Sequence, residues 1–303
     1  MKKSILVVGS INMDLVVEVR GLPQKGETVF GETIRYVPGG KGANQAVAAS
    51  RLGTQVSIIG KVGKDHFGEQ LLDFLKKEKL SLKGVSRSSI PSGLAVITVD
   101  GKGGDNTIVV LKGANTEVNV DYIEKHSELI KKANVITSTY ETPQKSVEKL
   151  FGLAKKFGKT TMLNTSPVLK TAESLWRKVD YLVLNEKELS FYAGSKKRLE
   201  DIEEMIKAGK KLLDKGVQNV IVTIGPRGAV TVTKDKVIRT EGLKVNAVDT
   251  TAAGDCFTAA LATQINSGAR LEEALDFANQ AAAISVQRWG ASSSLPYLHE
   301  VKE

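Results

Sequence analysis

Short apolar runs rich in β-branched residues alternate with amphipathic stretches through most of this 303-residue chain. The runs are SILVVG (4–9), QVSIIG (55–60), NVITS (134–138), KTTML (159–163), DYLVL (180–184) and QNVIVT (218–223). Between several of them lie helix-period segments such as FGEQLLDFLKKEKL (67–80), SVEKLFGLAKKFG (146–158) and DIEEMIKAGKKLLDKG (201–216). A strand that is apolar throughout must be covered on both faces. The alternation therefore predicts an α/β fold with a mostly parallel sheet between helical layers. In such folds ligands gather at the carboxyl ends of the strands.

Two stretches break the alternation. Residues 14–37 and 93–111 carry strand patterns with no helix between them, and the second contains the turn sequence GKGGDN. They read either as a small separate sheet, able to cover a site or pair with another copy, or as two unrelated surface hairpins.

Composition excludes several classes. The net charge is +9, but the lysines fall in pairs (76–77, 131–132, 155–156, 210–211) within helical patterns, and no nucleic-acid motif accompanies them. A solvated helix surface is expected, and no nucleic-acid partner. Cys256 is the only cysteine, so an intramolecular disulfide and a cysteine-cluster metal site are excluded. His66, His126 and His299 have no metal-ligand spacing and are expected at the surface. The apolar run of MKKSILVVGS stops at Gly9, too short for a signal peptide, and no stretch approaches the ~20 apolar residues of a membrane span. A cytoplasmic protein with no membrane partner is expected.

Six places carry candidate chemistry. In AVDTTAAGDCFTAALA (247–262), a carboxylate follows a run of small residues at an expected helix start. Free N–H groups there can hold an anion, and Asp255 beside it can take a proton from a hydroxyl attacking a phosphoryl group. A carboxylate complementing the helix dipole is the competing account. In VPGGKGANQAVAASRLG (37–53), Gly39, Gly40, Lys41 and Gly42 open a helix of small residues; this is neither a Walker A loop nor a dinucleotide fingerprint. Lys41 and Asn44 could hold hydroxyls, or the glycines could simply form a turn. Asn12 and Asp14 lie two apart beyond the first strand, on one face, as a polar-ligand pair or an Asx turn. Glu141, then Asn185 with Glu188 in NEKE, then TIGPRG (223–228) each follow a strand, where they are ligand contacts or ordinary loops and caps.

Together and in this order, GSINMDL, GGKGANQAVAASRLG, NEKE, TIGPRGA and DTTAAGDCFTAAL resemble the ribokinase-like carbohydrate kinases, from Ser4 to Pro296. The resemblance implies a three-layer αβα sandwich in a single domain over 1–303, with segments 14–37 and 93–111 as a β-sheet lid. It implies ATP-dependent phosphorylation of D-ribose at the 5-hydroxyl to give D-ribose 5-phosphate. Asp255 would be the general base, and the backbone N–H groups of Ala252, Ala253 and Gly254 the anion hole. Asn12, Asp14, Gly40, Lys41, Gly42, Asn44 and Glu141 would contact the sugar. Asn185, Thr223, Gly225, Arg227, Gly228 and Asn279 would contact the nucleotide, with Gly254 beside it, and Glu188 would be linked to Mg²⁺. A monovalent cation, K⁺, would be held by Asp249, Thr251, Ser285, Arg288, Gly290 and Ser294. A homodimer through the lid is implied as well.

Three departures from the family pattern stand out. Cys256 replaces a common Thr, and at a helix N-terminus its thiol pKa is expected to fall. NTSP (164–167) replaces N-P-A-P, and Asn279 stands where some relatives carry His. The alternatives are a sibling kinase for 2-deoxyribose, another sugar or a nucleoside, or a non-catalytic sugar sensor.

Overall fold

The computed structural model describes residues 3–101 and 106–301, so most of the GKGGDN turn lies outside the described residues. The strands are β1 Ser4–Val8, β2 Asn12–Val19, β3 Gly31–Gly39, β4 Gln55–Gly63, β5 Ser81–Ser88, β6 Gly93–Asp100, β7 Asn106–Leu111, β8 Val135–Thr139, β9 Thr160–Asn164, β10 Tyr181–Asn185, β11 Asn219–Thr223, β12 Gly228–Thr233 and β13 Val237–Glu241. The helices of seven residues or more are α1 Lys41–Arg51, α2 His66–Lys77, α3 Gln144–Lys156, α4 Glu186–Tyr192, α5 Ile202–Asp214, α6 Ala253–Ser267 and α7 Leu271–Ser285.

Nine strands form the large sheet, in the order β13-β12-β11-β10-β9-β8-β1-β4-β5. From β5 to β11 every neighbouring pair is parallel; β12 and β13 add antiparallel at one edge. The period-two alternation of side chains splits the core in two. Ile5 and Val7 of β1 face a layer that includes Val47 of α1, Leu71 of α2, Leu261 of α6 and Leu275 of α7. Leu6 and Val8 face the other layer, with Phe151 of α3, Leu189 of α4 and Leu212 of α5. This is the expected αβα sandwich. Ala46, Ala48, Ala259 and Ala260 are fully buried, and such small side chains let α1 and α6 approach closely.

The strand order reverses between β1 and β8, because β1 pairs with β4 on one side and β8 on the other. That switch point opens a crevice at the carboxyl ends of both strands. The two β-excursions join into one smaller sheet, β3-β2-β6-β7. Its centre is the parallel pairing of β2 with β6, from Asn12 opposite Gly93 to Val19 opposite Asp100. The reading as unrelated hairpins is therefore replaced by a single sheet.

The lysine pairs all fall in helices and are mostly exposed. His66 and His299 are exposed; His126 is half-buried instead, with Nδ1 2.8 Å from the Tyr122 carbonyl oxygen. No helix among the described residues is long and apolar enough to cross a membrane.

Candidate active site

Some helix starts here are capped by a side chain: Asp65 accepts from Gly68 N–H on α2, and Asp201 from Glu204 N–H on α5. The α6 start is built differently. Its N-cap is Ala252, in the left-handed conformation at φ 61°, and no side chain caps it. A left-handed Ala costs about 1–2 kcal/mol. Among the described residues no hydrogen bond takes up the N–H groups of Ala252 and Gly254, while Ala253 N–H leans to the Thr250 carbonyl at 3.3 Å. Two of the three expected donors are thus free, and the third is weakly engaged.

Asp255, the third residue of α6, is buried against α1. Asn44 Nδ2 donates to its Oδ2 at 3.1 Å and Gln45 Nε2 to its Oδ1 at 3.2 Å. Burial pushes the Asp255 carboxyl above its ordinary value, against the opposing pull of Lys41 and the Asn44 amide. A carboxyl with raised proton affinity, beside free N–H groups, is arranged to accept a proton.

Around it the switch-point crevice gathers the other expected residues. Ser10, just past β1, donates through its hydroxyl to Glu141 Oε2, just past β8, so the two sides of the crevice are tied together. Glu141 Oε2 also accepts from Lys41 N–H at 3.1 Å. Gly40 turns the chain into α1 at φ 87°, a conformation that favours glycine. Gly42 packs so closely on Gly9 that a Cβ there would lie 2.6 Å from the Gly9 Cα. Asn12 is buried, and its Oδ1 accepts from Asn115 Nδ2 at 2.7 Å. Asp14 is pushed up to about 7 by burial and then by the Glu141 carboxylate, with Lys41 opposing. Burial works against the Lys41 ammonium, but the carboxylates of Asp255, Glu141, Glu188 and Asp14 outweigh it and hold Lys41 above its ordinary value. One cation thus lies among four carboxylates.

The expected nucleotide residues lie at the carboxyl ends of β10 and β11, except Gly254 on α6 and Asn279 on α7. Asn185 and Glu188 form a capping box on α4: Asn185 Oδ1 accepts from Glu188 N–H, and Glu188 Oε2 from Asn185 N–H, both at 3.0 Å. Glu188 is buried and close enough to act on the Lys41 charge, so one carboxylate faces the crevice. A single carboxylate plus substrate phosphates suits Mg²⁺. The Thr223 hydroxyl sits 3.4 Å from the Leu184 carbonyl oxygen, and Gly225 and Gly228 flank the next turn, both at positive φ. Arg227 is engaged elsewhere, donating to the Glu200 carbonyl at 2.9 Å and to Glu186 at 3.4 Å. Asn279 donates to the Glu241 carbonyl at 2.7 Å.

Asp249 accepts Thr251 N–H on Oδ1 and Gly290 N–H on Oδ2, each at 2.9 Å. It therefore ties the turn before α6 to the 288–294 segment. Arg288 N–H donates to the Ser285 carbonyl at 3.2 Å, while its guanidinium pairs with Glu300 and turns away. Ser294 is fully buried. One carboxylate with carbonyl and hydroxyl oxygens is a hard donor set, which fits an alkali cation.

Cys256 departs from expectation. Its side chain points into the core, where burial pushes the thiol up to about 12, opposed by a hydrogen bond with Ser285. The helix N-terminus does not lower it, because the thiol is directed away from the free N–H groups.

Between the smaller sheet and the 247–251 and 289–293 segments lies a cleft of about 560 Å³, lined among others by Asp14, Arg35, Ile97, Thr251 and Trp289. The Arg35 guanidinium lies 5.9 Å from the centre of the Trp289 ring, spanning it. A larger concavity, about 850 Å³, lies near the amino ends of β1 and β4 by Lys3 and Gln55, far from the carboxylates.

The pfkB family carbohydrate kinase model matches residues 2–298. The chain belongs to the pfkB family of carbohydrate kinases. Its enzyme class, an ATP-dependent sugar kinase, is the one its motifs predict. Similar members include a ribokinase of Schizosaccharomyces pombe, 37% identical over 98% of this chain and 96% of that protein. One from Haemophilus influenzae is 34% identical over 100% and 98%. A deoxyribokinase of Salmonella typhi is 33% identical over 99% and 97%. The structure of Arabidopsis thaliana ribokinase complexed with ribose and ATP superposes with a TM-score of 0.91 at 32% identity, covering 100% of this chain and 98% of that one.

Ser10, Gln45, Asn115 and Ser292 belong to the hydrogen-bonded frame but carry no sequence signal of their own. Gln45 stands inside a quoted motif, yet nothing in the pattern distinguishes it from a packing residue. Its Oε1 is buried without a partner, which costs about 1–3 kcal/mol.

Proposed function

We propose that this chain transfers the γ-phosphoryl group of ATP to the 5-hydroxyl of D-ribose, giving D-ribose 5-phosphate and ADP. The observation that carries the reading is the buried Asp255 carboxyl beside the uncapped start of α6, ringed by hydrogen-bonding groups suited to a polyhydroxylated molecule. The 5-hydroxyl proton passes to Asp255 as the new oxygen–phosphorus bond forms and the bond to the departing ADP breaks. Charge developing on the transferring group meets the N–H groups of Ala252 and Gly254, with Ala253 joining as its weak turn bond yields.

Asn12, Asp14, Lys41 and Glu141 orient the sugar, and Asn44 sets the base. Asn185, Thr223, Gly225, Gly228 and Asn279 border the nucleotide groove, with Arg227 at its rim through Glu186. When bound beside Glu188, Mg²⁺ supplies charge neutralisation of the phosphates. A monovalent cation at Asp249 braces the turn that carries the anion hole, because that turn is tied to Gly290 through the same carboxylate.

The smaller sheet acts as a lid over the cleft and excludes water, a competing acceptor. Its β7 residues are exposed along the whole strand, including Ile108, Val109, Val110 and Leu111, and Phe30 is 93% exposed. An apolar sheet edge of this kind supports pairing with a second copy through the lids.

A second reading, phosphorylation of 2-deoxyribose, is favoured by the deoxyribokinase relative, whose identity to this chain nearly equals that of the ribokinases. The test is sugar-dependent ADP release with ATP, Mg²⁺ and K⁺, comparing D-ribose, 2-deoxyribose, fructose and adenosine. Preference for D-ribose is expected. Preference for 2-deoxyribose supports the second reading, and ribose binding without turnover supports a sensor.

A further inference from the structure

We propose that Gln45 and Ser292 are positioning residues for the Asp255 carboxylate, forming with Asn44 a buried amide clamp that fixes both of its oxygens before the sugar arrives. The inference rests on the reading of Asp255 as the base. Asn44 and Gln45 are consecutive in α1 and so about 100° apart around the helix. They straddle the carboxylate, one amide per oxygen, at 3.1 and 3.2 Å. Two donors, one on each oxygen, stop the carboxylate turning about its own bond.

The clamp is itself held. The Ser292 hydroxyl donates to Asn44 Oδ1 at 2.7 Å, so the Asn44 NH₂ must face Asp255. Ser292 is fully buried, and its carbonyl accepts from Arg51 Nη1 at 3.0 Å, as does that of Leu295 at 2.8 Å. Arg51 closes α1 and is fixed in turn by Glu78, 2.9 Å from Nε and 2.6 Å from Nη2. The chain of contacts thus returns to the helix that carries the two amides.

Gln45 makes the case sharpest. It is completely buried, and its Oε1 has no partner. Packing alone would be served better by Met, of similar length and without an orphaned oxygen. The Nε2 bond to Asp255 is the one return on keeping an amide there. That bond favours the ionised base, the form able to take a proton, and aligns it.

The experiment compares Gln45→Met with the unaltered enzyme and with Asp255→Asn, using ATP and D-ribose across pH. For Gln45→Met we expect kcat near neutral pH to fall roughly 10- to 100-fold while the D-ribose Kd stays within about threefold. The acid limb of the pH profile should move to higher pH, so that activity partly recovers on raising it. A merely structural role lowers activity at all pH values without moving the limb, and that result overturns the proposal. Should Gln45→Met fail to fold, Ser292→Ala reads the same chain one step out. A limb displaced in the same direction supports the clamp, and an unmoved limb overturns it. If Asp255→Asn retains turnover, the base assignment fails and the clamp with it. If Asp255→Asn is inactive while Gln45→Met is unchanged, the clamp alone fails.

Discussion

The two halves of the cleft are built on different principles. On the side proposed to hold the sugar, Asn12, Asp14, Asn44 and Asp255 are buried and most are already bonded to one another or to Asn115, Gln45 and Ser292. On the other side, residues 243–248 before α6 are exposed throughout, Leu243 and Val248 included, and among the described residues the N–H groups of Ala252 and Gly254 have no partner. One half is preorganised and costs stability in buried charge. The other is open to solvent.

The sharpest way to break that contrast is Asp255→Asn. The variant keeps both flanking amides in reach but cannot accept the proton. Turnover should fall by about 10³-fold or more, with D-ribose affinity by calorimetry changed only a few-fold. Near-normal turnover would show that the buried side does not do the chemistry.

The cost of preorganisation is read from Asp14. Its folded pKa, about 7, lies above the ordinary 3.8, so the folded state holds the proton more tightly. The stability this contributes is full below about pH 4 and is lost as pH rises through 7. Asp14→Asn should therefore stabilise the free protein by about 4 kcal/mol at pH 8 and hardly at all at pH 4, in urea unfolding. Equal effects at both values would mean that the carboxyl is not strained by burial.

The open half should respond to ligands more than to its own packing. Exchanging K⁺ for Na⁺ is expected to lower kcat about fivefold or more with little change in sugar affinity, because on the proposed assignment the Asp249 turn braces the anion hole. The smallest effect is Asn279→Ala, which loses one exposed hydrogen bond to the Glu241 carbonyl. We expect about 1 kcal/mol of stability and a higher KM for ATP, with that for the sugar unchanged.

Much of this was legible in the sequence, for definite reasons. Strands buried on both faces announce themselves as apolar runs, so β1, β4 and β8–β11 fall within a residue or two of expectation, except that β4 runs on to Gly63. Three strands escaped: β5, β12 and β13. The edge strand β5, SLKGVSRS, alternates polar residues with few apolar ones, and β12 and β13 return antiparallel without an intervening helix. The glycine-rich and acidic motifs come together in one crevice at the switch point. What they could not carry was the frame around them: Asn115 lies 103 residues from Asn12, and Ser292 lies 248 from Asn44. Cys256 shows the same limit. Its place after a helix start suggested an acidic thiol, but the direction of its side chain, into the core, decides the opposite.

The most direct test of the central claim is the position of the new phosphate ester. The enzyme is incubated with ATP, Mg²⁺, K⁺ and D-ribose carrying ¹³C at carbon 5, and the product is read by carbon and phosphorus NMR. Coupling between phosphorus and the labelled carbon is the predicted result, since Asp255 is assigned to the 5-hydroxyl proton. A phosphate on another carbon, or release of inorganic phosphate alone, would contradict the account.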